Sequence, residues 1–268
     1  MRAWRVATIG VGMPSGPGSV SPQPDVNAEA PMTLNGWLRY DTITRMVPDG
    51  VRDVLEIGCG LGAFGVRFAE RYNYLGLEPD PAAYAVAAGR AAALGRGKVR
   101  NVRVEDVEAG QFDLVCAFEV LEHIEDDAAA VKAWATRLRA GGYLLMSVPA
   151  HQRRFSVGDQ LMGHYRRYDP PVMADLLTRA GFSGISMRLY GFPLCYLLDG
   201  PRELLRKRQL AEGDYALAER TGASGRVMQP SGRRIGTITQ TLTAPFRVLQ
   251  RGFPNLGTGL VVRARLDA

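Results

Sequence analysis

The chain has 268 residues, 46% of them hydrophobic, and a formal net charge of +6. That is enough apolar material for one sizeable α/β domain with an appendage. Its cysteines, Cys59, Cys116 and Cys195, have neither metal-ligand spacing nor disulfide density, which argues against a disulfide scaffold and for a reducing cytoplasm.

No apolar run reaches the roughly 18–20 residues that cross a bilayer. The charge is uneven: residues 1–150 hold 15 Lys and Arg against 18 Asp and Glu, whereas residues 200–251 hold 10 against 4. A basic excess confined to one late segment, without aromatic-basic interleaving, speaks against nucleic acid as a partner. It fits a solvated face or a helix resting on a membrane surface.

In chain order, residues 1–31 read as a flexible leader, since 13–31 are rich in Pro, Gly and Ser. Residues 35–47 place Leu38, Ile43, Met46 and Val47 with Trp37 and Tyr40 in a helix. The first strand is predicted over 53–57, a helix over 63–72 and the second strand over 74–78. An Ala-rich helix over 81–94 starts with Pro81 at its first position. The third strand is predicted over 99–104. Residues 112–118 are almost unbroken apolar sequence, the mark of a strand buried on both faces. A helix over 126–138 is expected to close at Gly141 and Gly142, followed by a fifth strand over 143–148 that Pro149 stops.

Residues 149–169 form a long polar and aromatic loop, a length that usually carries function. Asp169 then caps a helix over 170–180, and 182–189 is the sixth strand. Residues 193–209 read as a basic amphipathic helix, 212–232 as polar and mobile, 235–251 as weakly helical, and 259–266 as a closing strand. Such alternation predicts a parallel sheet with helices on both faces and a ligand at the carboxyl ends of the strands.

The most informative stretch is Glu56-Ile57-Gly58-Cys59-Gly60-Leu61-Gly62-Ala63-Phe64-Gly65. An apolar strand ends there in a turn whose backbone can lie against a ligand. Gly60-x-Gly62-x-x-Gly65 matches the dinucleotide fingerprint, with Glu78 at the distance of a ribose-binding acid. That match alone would make the chain an NAD(P)-dependent oxidoreductase. Three features favour a cationic cofactor instead. Glu56 lies inside the strand end, Glu105-Asp106 follow strand three, and Glu119, Glu122 and His123 follow strand four.

These motifs together resemble the class I S-adenosylmethionine-dependent methyltransferases over roughly residues 35–190. The resemblance implies a Rossmann-like, seven-stranded, mostly parallel α/β sheet whose final strand is antiparallel, with a helical insertion on the substrate side. The implied organisation is a leader over 1–31, a cofactor-binding core over 32–190, a basic insertion over 191–256 and the closing strand over 257–268. It also implies S-adenosyl-L-methionine as cofactor. Glu56, Gly58, Gly60 and Gly62 would lie near its methionine portion, and Glu78 with Pro79 near its ribose. Asp106 with Val107 would hold the adenine, and Phe118 or Glu119 would meet the amino group.

Glu119, Glu122 and His123 would share one face of a helical turn and could bind a divalent cation such as Mg. The same Glu-x-x-Glu-His block occurs in the ubiquinone-pathway O-methyltransferases. Without metal, His123 is a candidate base. On the substrate side, His151, His164 and Tyr165 are candidate catalytic groups, while Arg166, Arg167 and Tyr168 are candidate acceptor contacts. Trp37 and Tyr40 could close over the site. All three histidines fall in substrate-facing segments, which favours O-methylation of a small hydroxylated metabolite. C-methylation of an anionic or prenyl-type substrate, and cyclisation or isomerisation without methyl transfer, remain open. Peripheral membrane contact through the basic helix, and a homodimer, are the expected associations.

Overall fold

The computed structural model describes residues 30–200 and 233–267. Its frame is a seven-stranded sheet made of β1 (Asp53–Ile57), β2 (Asn73–Leu77), β3 (Lys98–Arg100), β4 (Phe112–Phe118), β5 (Leu138–Pro149), β6 (Phe182–Gly191) and β7 (Gly257–Leu266). The order across the sheet is β3-β2-β1-β4-β5-β7-β6. The first five are parallel, and β7 runs antiparallel to both neighbours.

Strand β4 shows why the sheet is buried on both sides. Val115 and Ala117 face one apolar cluster with Trp134, Leu144 and Leu177. Leu114, Cys116 and Phe118 face the other, with Leu38, Ile43 and Phe68. Alternate side chains of a strand point to opposite faces, so an unbroken apolar run requires cover on both.

The helices start where their caps say they should. In α1 (Leu34–Met46) the Thr33 hydroxyl accepts from Gly36 N–H at 2.9 Å. A five-residue helix, α2 (Gly65–Ala69), follows the glycine turn. In α3 (Pro81–Leu94) Asp80 accepts from Ala83 N–H at 2.7 Å, and Gly95 ends the helix in the left-handed conformation. In α4 (Asp127–Ala135) Asp126 plays the same capping role. Two further helices, α5 (Val157–Leu161) and α6 (Pro170–Arg179), bracket the loop after β5. Another helical stretch begins at Leu194, and α7 (Arg233–Arg251) lies against α1. Among the described residues no helix is long and apolar enough to cross a membrane.

Four boundaries differ from the sequence expectation. The helix after the glycine turn ends at Ala69 because Arg71 and Tyr72 both donate to the Phe68 carbonyl in a tight turn. Strand β3 is three residues long because 104–106 wind into a 3-10 turn, closed by Asp106 accepting from Arg103 N–H. Gly141 and Gly142 do not end α4; they lie inside β5, where the pairing with β4 shifts register. Asp169 precedes α6 without a side-chain capping bond. The closing strand inserts between β5 and β6. The expected helix over 193–209 is described only to residue 200, and the polar segment over 212–232 and the leader up to residue 29 lie outside the described residues.

One glycine is fixed by packing rather than by its dihedral angles. A Cβ at Gly65 would collide with the Tyr74 ring and hydroxyl, and Tyr74 is itself buried and bonded to Glu56 at 2.6 Å. Gly65→Ala is therefore expected to lower stability by about 1–3 kcal/mol through overpacking, read as a reduced urea midpoint. Recovery in the Gly65→Ala/Tyr74→Leu double variant would locate the cost in that contact.

Candidate functional site

The strand order reverses between β1 and β4, so their carboxyl ends diverge and open a crevice. The glycine turn after β1 lines it. Gly58, Gly60 and Gly62 have φ of 67°, 55° and 77°, a region costly for residues with a Cβ. A Cβ on Gly60 would meet nothing within 4 Å, so the backbone there faces open space.

Glu78, at the end of β2, is buried and pinned across this turn. Its Oε2 accepts from Gly60 N–H at 2.7 Å and its Oε1 from Asp80 N–H at 2.9 Å. Two supports escaped the sequence reading. Asn101 donates to the carbonyls of Glu78 and Pro79, and Arg90 donates to the Leu61 carbonyl. Polar side chains at such positions give no motif, and only the folded geometry shows them reaching back. Exposed Asp106 and buried Val107 follow β3, beyond that same turn.

Glu56 is 3% exposed and accepts from the Tyr74 hydroxyl. Burial pushes its carboxyl up to about 8, against the smaller lowering effects of Tyr74 and Arg39. Glu119 is held differently. Its φ is 59°, unusual for a residue with a side chain, and such strain collects at functional sites. Its Oε1 takes the Ser147 hydroxyl at 2.9 Å, the Tyr190 hydroxyl at 3.3 Å and Arg39 Nη1 at 3.2 Å. Arg39 reaches in from α1 and also lies over the Phe64 ring. It was not foreseen, because a single arginine on a helix face reads as a solvated charge.

Glu119 therefore does not converge with Glu122 and His123 as the helical spacing suggested. Residues 121–123 form a 3-10 turn, which turns Glu119 away. Glu122, His123 and His164 come together instead, with one ligand atom from each within 4.8 Å of the others. Glu122 is wholly buried, and among the described residues neither carboxylate oxygen has a hydrogen-bond partner. Burial, then Glu119, raise its carboxyl well above the usual range. His123 packs edge-on against His164 with ring centres 4.6 Å apart. Desolvation and His164 push its imidazole down to about 4.

The loop over 149–169 is built around Asp159, which is fully buried. It accepts from His164 Nδ1 at 3.0 Å, Arg167 Nε at 2.9 and 3.0 Å, and Ser156 N–H at 2.8 Å. Burial pushes this carboxyl up, but the His164 and Arg167 bonds outweigh it and hold it well below the usual range. Arg166 pairs with Asp127 at 2.7 Å and donates to the Glu125 carbonyl. Tyr168 is 1% exposed and donates to Asp127. So Arg166, Arg167 and Tyr168 brace the loop internally rather than forming a clamp for an anion. Tyr165 is exposed, and its N–H donates to the Glu122 carbonyl. His151, at φ 66°, ties the loop to β7 through the Gly257 carbonyl. Trp37 is core, stacked by Arg67, while Tyr40 packs on Phe64 and Phe118 packs between Phe64 and Phe68.

A profile described as "Methyltransferase domain" matches residues 55–144, the span from β1 into β5. Those residues are similar to a methyltransferase domain, and the sheet around them has the class I methyltransferase fold. Ubiquinone biosynthesis O-methyltransferase of Xanthomonas axonopodis pv. citri is 33% identical over 159 residues, 51% of this chain and 64% of that protein. A probable S-adenosylmethionine-dependent methyltransferase of Mycobacterium tuberculosis is 31% identical over 194 residues, 67% of this chain and 63% of that protein. The chain thus spans less than two thirds of either relative's length. Phosphoethanolamine N-methyltransferase 2 of Haemonchus contortus, solved with S-adenosyl-L-methionine, has the same fold at TM-score 0.55 and 17% identity, over 90% of this chain and 54% of that one.

The methyltransferase domain carries a pH signature in Glu56. Its folded value lies above the unfolded 4.5, so the neutral carboxyl contributes stability below about pH 4.5. That contribution is lost as pH rises through about 8. In Glu56→Gln this arm should flatten, leaving the variant about 1–3 kcal/mol more stable than the parent at pH 8 relative to pH 5. Urea unfolding at the two pH values measures it; identical slopes would refute the assignment.

Proposed function

We propose that the protein transfers the methyl group of S-adenosyl-L-methionine to a hydroxyl of a small metabolite. The observation that carries the reading is the pairing of two half-sites at the strand ends: the Glu78-pinned glycine turn, and a histidine whose Nδ1 is fixed by a buried aspartate. The name of the Xanthomonas relative supports the O-methyl direction, and the mycobacterial relative supports the cofactor.

The crevice fits that cofactor. Open space over Gly60 admits its backbone-hugging portion, and the buried Glu78 carboxylate at the end of β2 suits two ribose hydroxyls, since a carboxylate accepts side by side. Asp106 and Val107 stand where an adenine edge would lie. Arg39 offers a guanidinium for the methionine carboxylate, while Glu56 and Glu119 offer negative charge to its cationic groups. When bound, the cofactor supplies a methyl already activated on a positively charged sulfur.

The chain's own work is then alignment and proton removal. His164 donates its Nδ1–H to Asp159, which leaves Nε2 with a lone pair on a ring that stands beside Glu122 and His123. In this reading Nε2 takes the acceptor's hydroxyl proton as the new O–C bond forms and the S–C bond breaks. Asp159 balances the resulting imidazolium. His123, neutral at physiological pH, packs against His164 and holds its ring plane. Because Arg166 and Arg167 are internally paired, the arginines give an anionic prenyl acceptor no support.

The unpartnered Glu122 carboxylate favours a second reading, in which a divalent cation rests on Glu122, His123 and His164. Two imidazoles and one carboxylate suit a transition ion better than Mg. Asp159 would then orient a metal-ligating His164.

Glu78→Ala should weaken S-adenosylhomocysteine binding by ~100-fold or more in calorimetry, as two charge-assisted hydrogen bonds are lost. Asp159→Asn should leave that affinity unchanged yet lower kcat about 10- to 1,000-fold against a panel of phenolic and catecholic acceptors. Chelator treatment discriminates between the readings: undiminished turnover supports the base, and abolished turnover restored by Mn or Zn supports the cation. Turnover without addition of one methyl to the acceptor would refute both.

A further inference from the structure

Helix α7 packs with the wrong side inward. Its buried positions are Thr243, at 0% exposure, and Gln250, at 3%, with Thr239 and Phe246 beside them. These bind α1 and its approach by polar bonds. Thr239 donates to the Met32 carbonyl and Gln250 to the Leu38 carbonyl, both at 2.9 Å, while Arg251 pairs with Asp41. The apolar side chains point elsewhere. Ile238 is 55% exposed, Leu242 59%, Val248 63% and Leu249 44%, and Pro245 is exposed with them.

Positions 238, 242, 245 and 249 follow the i, i+4, i+7, i+11 pattern of one helix face, and Phe253 follows just past the helix end. That face lies roughly a quarter-turn away from the buried one at 3.6 residues per turn. Phe253, itself 43% exposed, touches Phe192 with ring centres 5.0 Å apart, and Phe192 meets Tyr196. Exposed Leu197 extends the surface. It ends at the loop after β5, because Tyr196 and His151 share the Gly257 carbonyl.

We propose that this stripe rests on an anionic lipid bilayer surface. Charge selects that occupant. The segment Arg233–Arg251 contains four arginines and no acid, and residues 200–251 hold 10 Lys and Arg against 4 Asp and Glu. An apolar face on a segment whose basic residues outnumber its acids is the composition of an interfacial helix, which combines burial in the acyl boundary with attraction to acidic headgroups. The same face laid on a second copy of itself would set arginines against arginines.

Vesicle sedimentation of the full chain tests it. The protein should pellet with phosphatidylcholine vesicles containing phosphatidylglycerol, and not with phosphatidylcholine alone. Binding should fall as NaCl rises. Leu242→Gln/Leu249→Gln should weaken the partition about tenfold or more, with urea midpoint and S-adenosylhomocysteine affinity unchanged, since both side chains are solvent-exposed. Equal pelleting of parent and double variant, or none by either, would overturn the proposal. A dimer in light scattering that those substitutions dissociate would assign the stripe to a second copy and overturn it too. Loss of cofactor affinity in the parent would instead strike the methyltransferase reading and leave this one standing.

Discussion

Burying carboxylates at the carboxyl ends of a parallel sheet is the constraint around which this molecule is arranged. Four buried ones and the half-buried Glu119 lie there, and each meets that constraint differently. Glu78 is satisfied by two backbone N–H groups, which costs nothing in charge balance and fixes its direction. Asp159 gathers an imidazole, a guanidinium and a serine, so it stays ionised although fully buried. Glu119 takes an arginine and two hydroxyls at the expense of a strained backbone. Glu56 has one tyrosine and rises towards neutrality. Glu122 has no side-chain partner among the described residues. An unpaired buried charge costs several kcal/mol, so the group protonates or acquires a ligand.

The parallel core was legible because its signals are local. Local apolar and Ala-rich runs set β1, β4 and α3 to the residue, and Pro81 at its first position announced the helix. Errors fell where a tertiary contact overrode a local rule. Gly141-Gly142 looked like a helix stop and became part of a strand, because β5 needed a bulge against β4. The Glu119–His123 block looked like one helical face and became a strained residue followed by a 3-10 turn. Arg39, Asn101 and Asp159 could not be singled out from spacing. Arg39 and Asn101 depend on partners far along the chain, Glu119 and Glu78, whereas Asp159 gathers Ser156, His164 and Arg167 from its own loop. Two adjacent arginines at 166 and 167 suggested an anion clamp, but Arg167 found Asp159 in the same loop and Arg166 found Asp127 in α4.

Helix α1 joins the two unusual surfaces of the protein. Its inward face contributes Arg39 to the Glu119 cluster, and Trp37 to the core beneath Arg67. Its other edge offers the Leu38 carbonyl and Asp41 to α7. A displacement of α7 would therefore act on α1 through directional bonds rather than through loose apolar packing, which slides easily. Polar bonds on the buried side of α7 thus do two things at once. They hold the apolar stripe outward, and they give the strand-end site a rigid connection to that stripe. A helix that packed in the usual sense, apolar face inward, would provide neither.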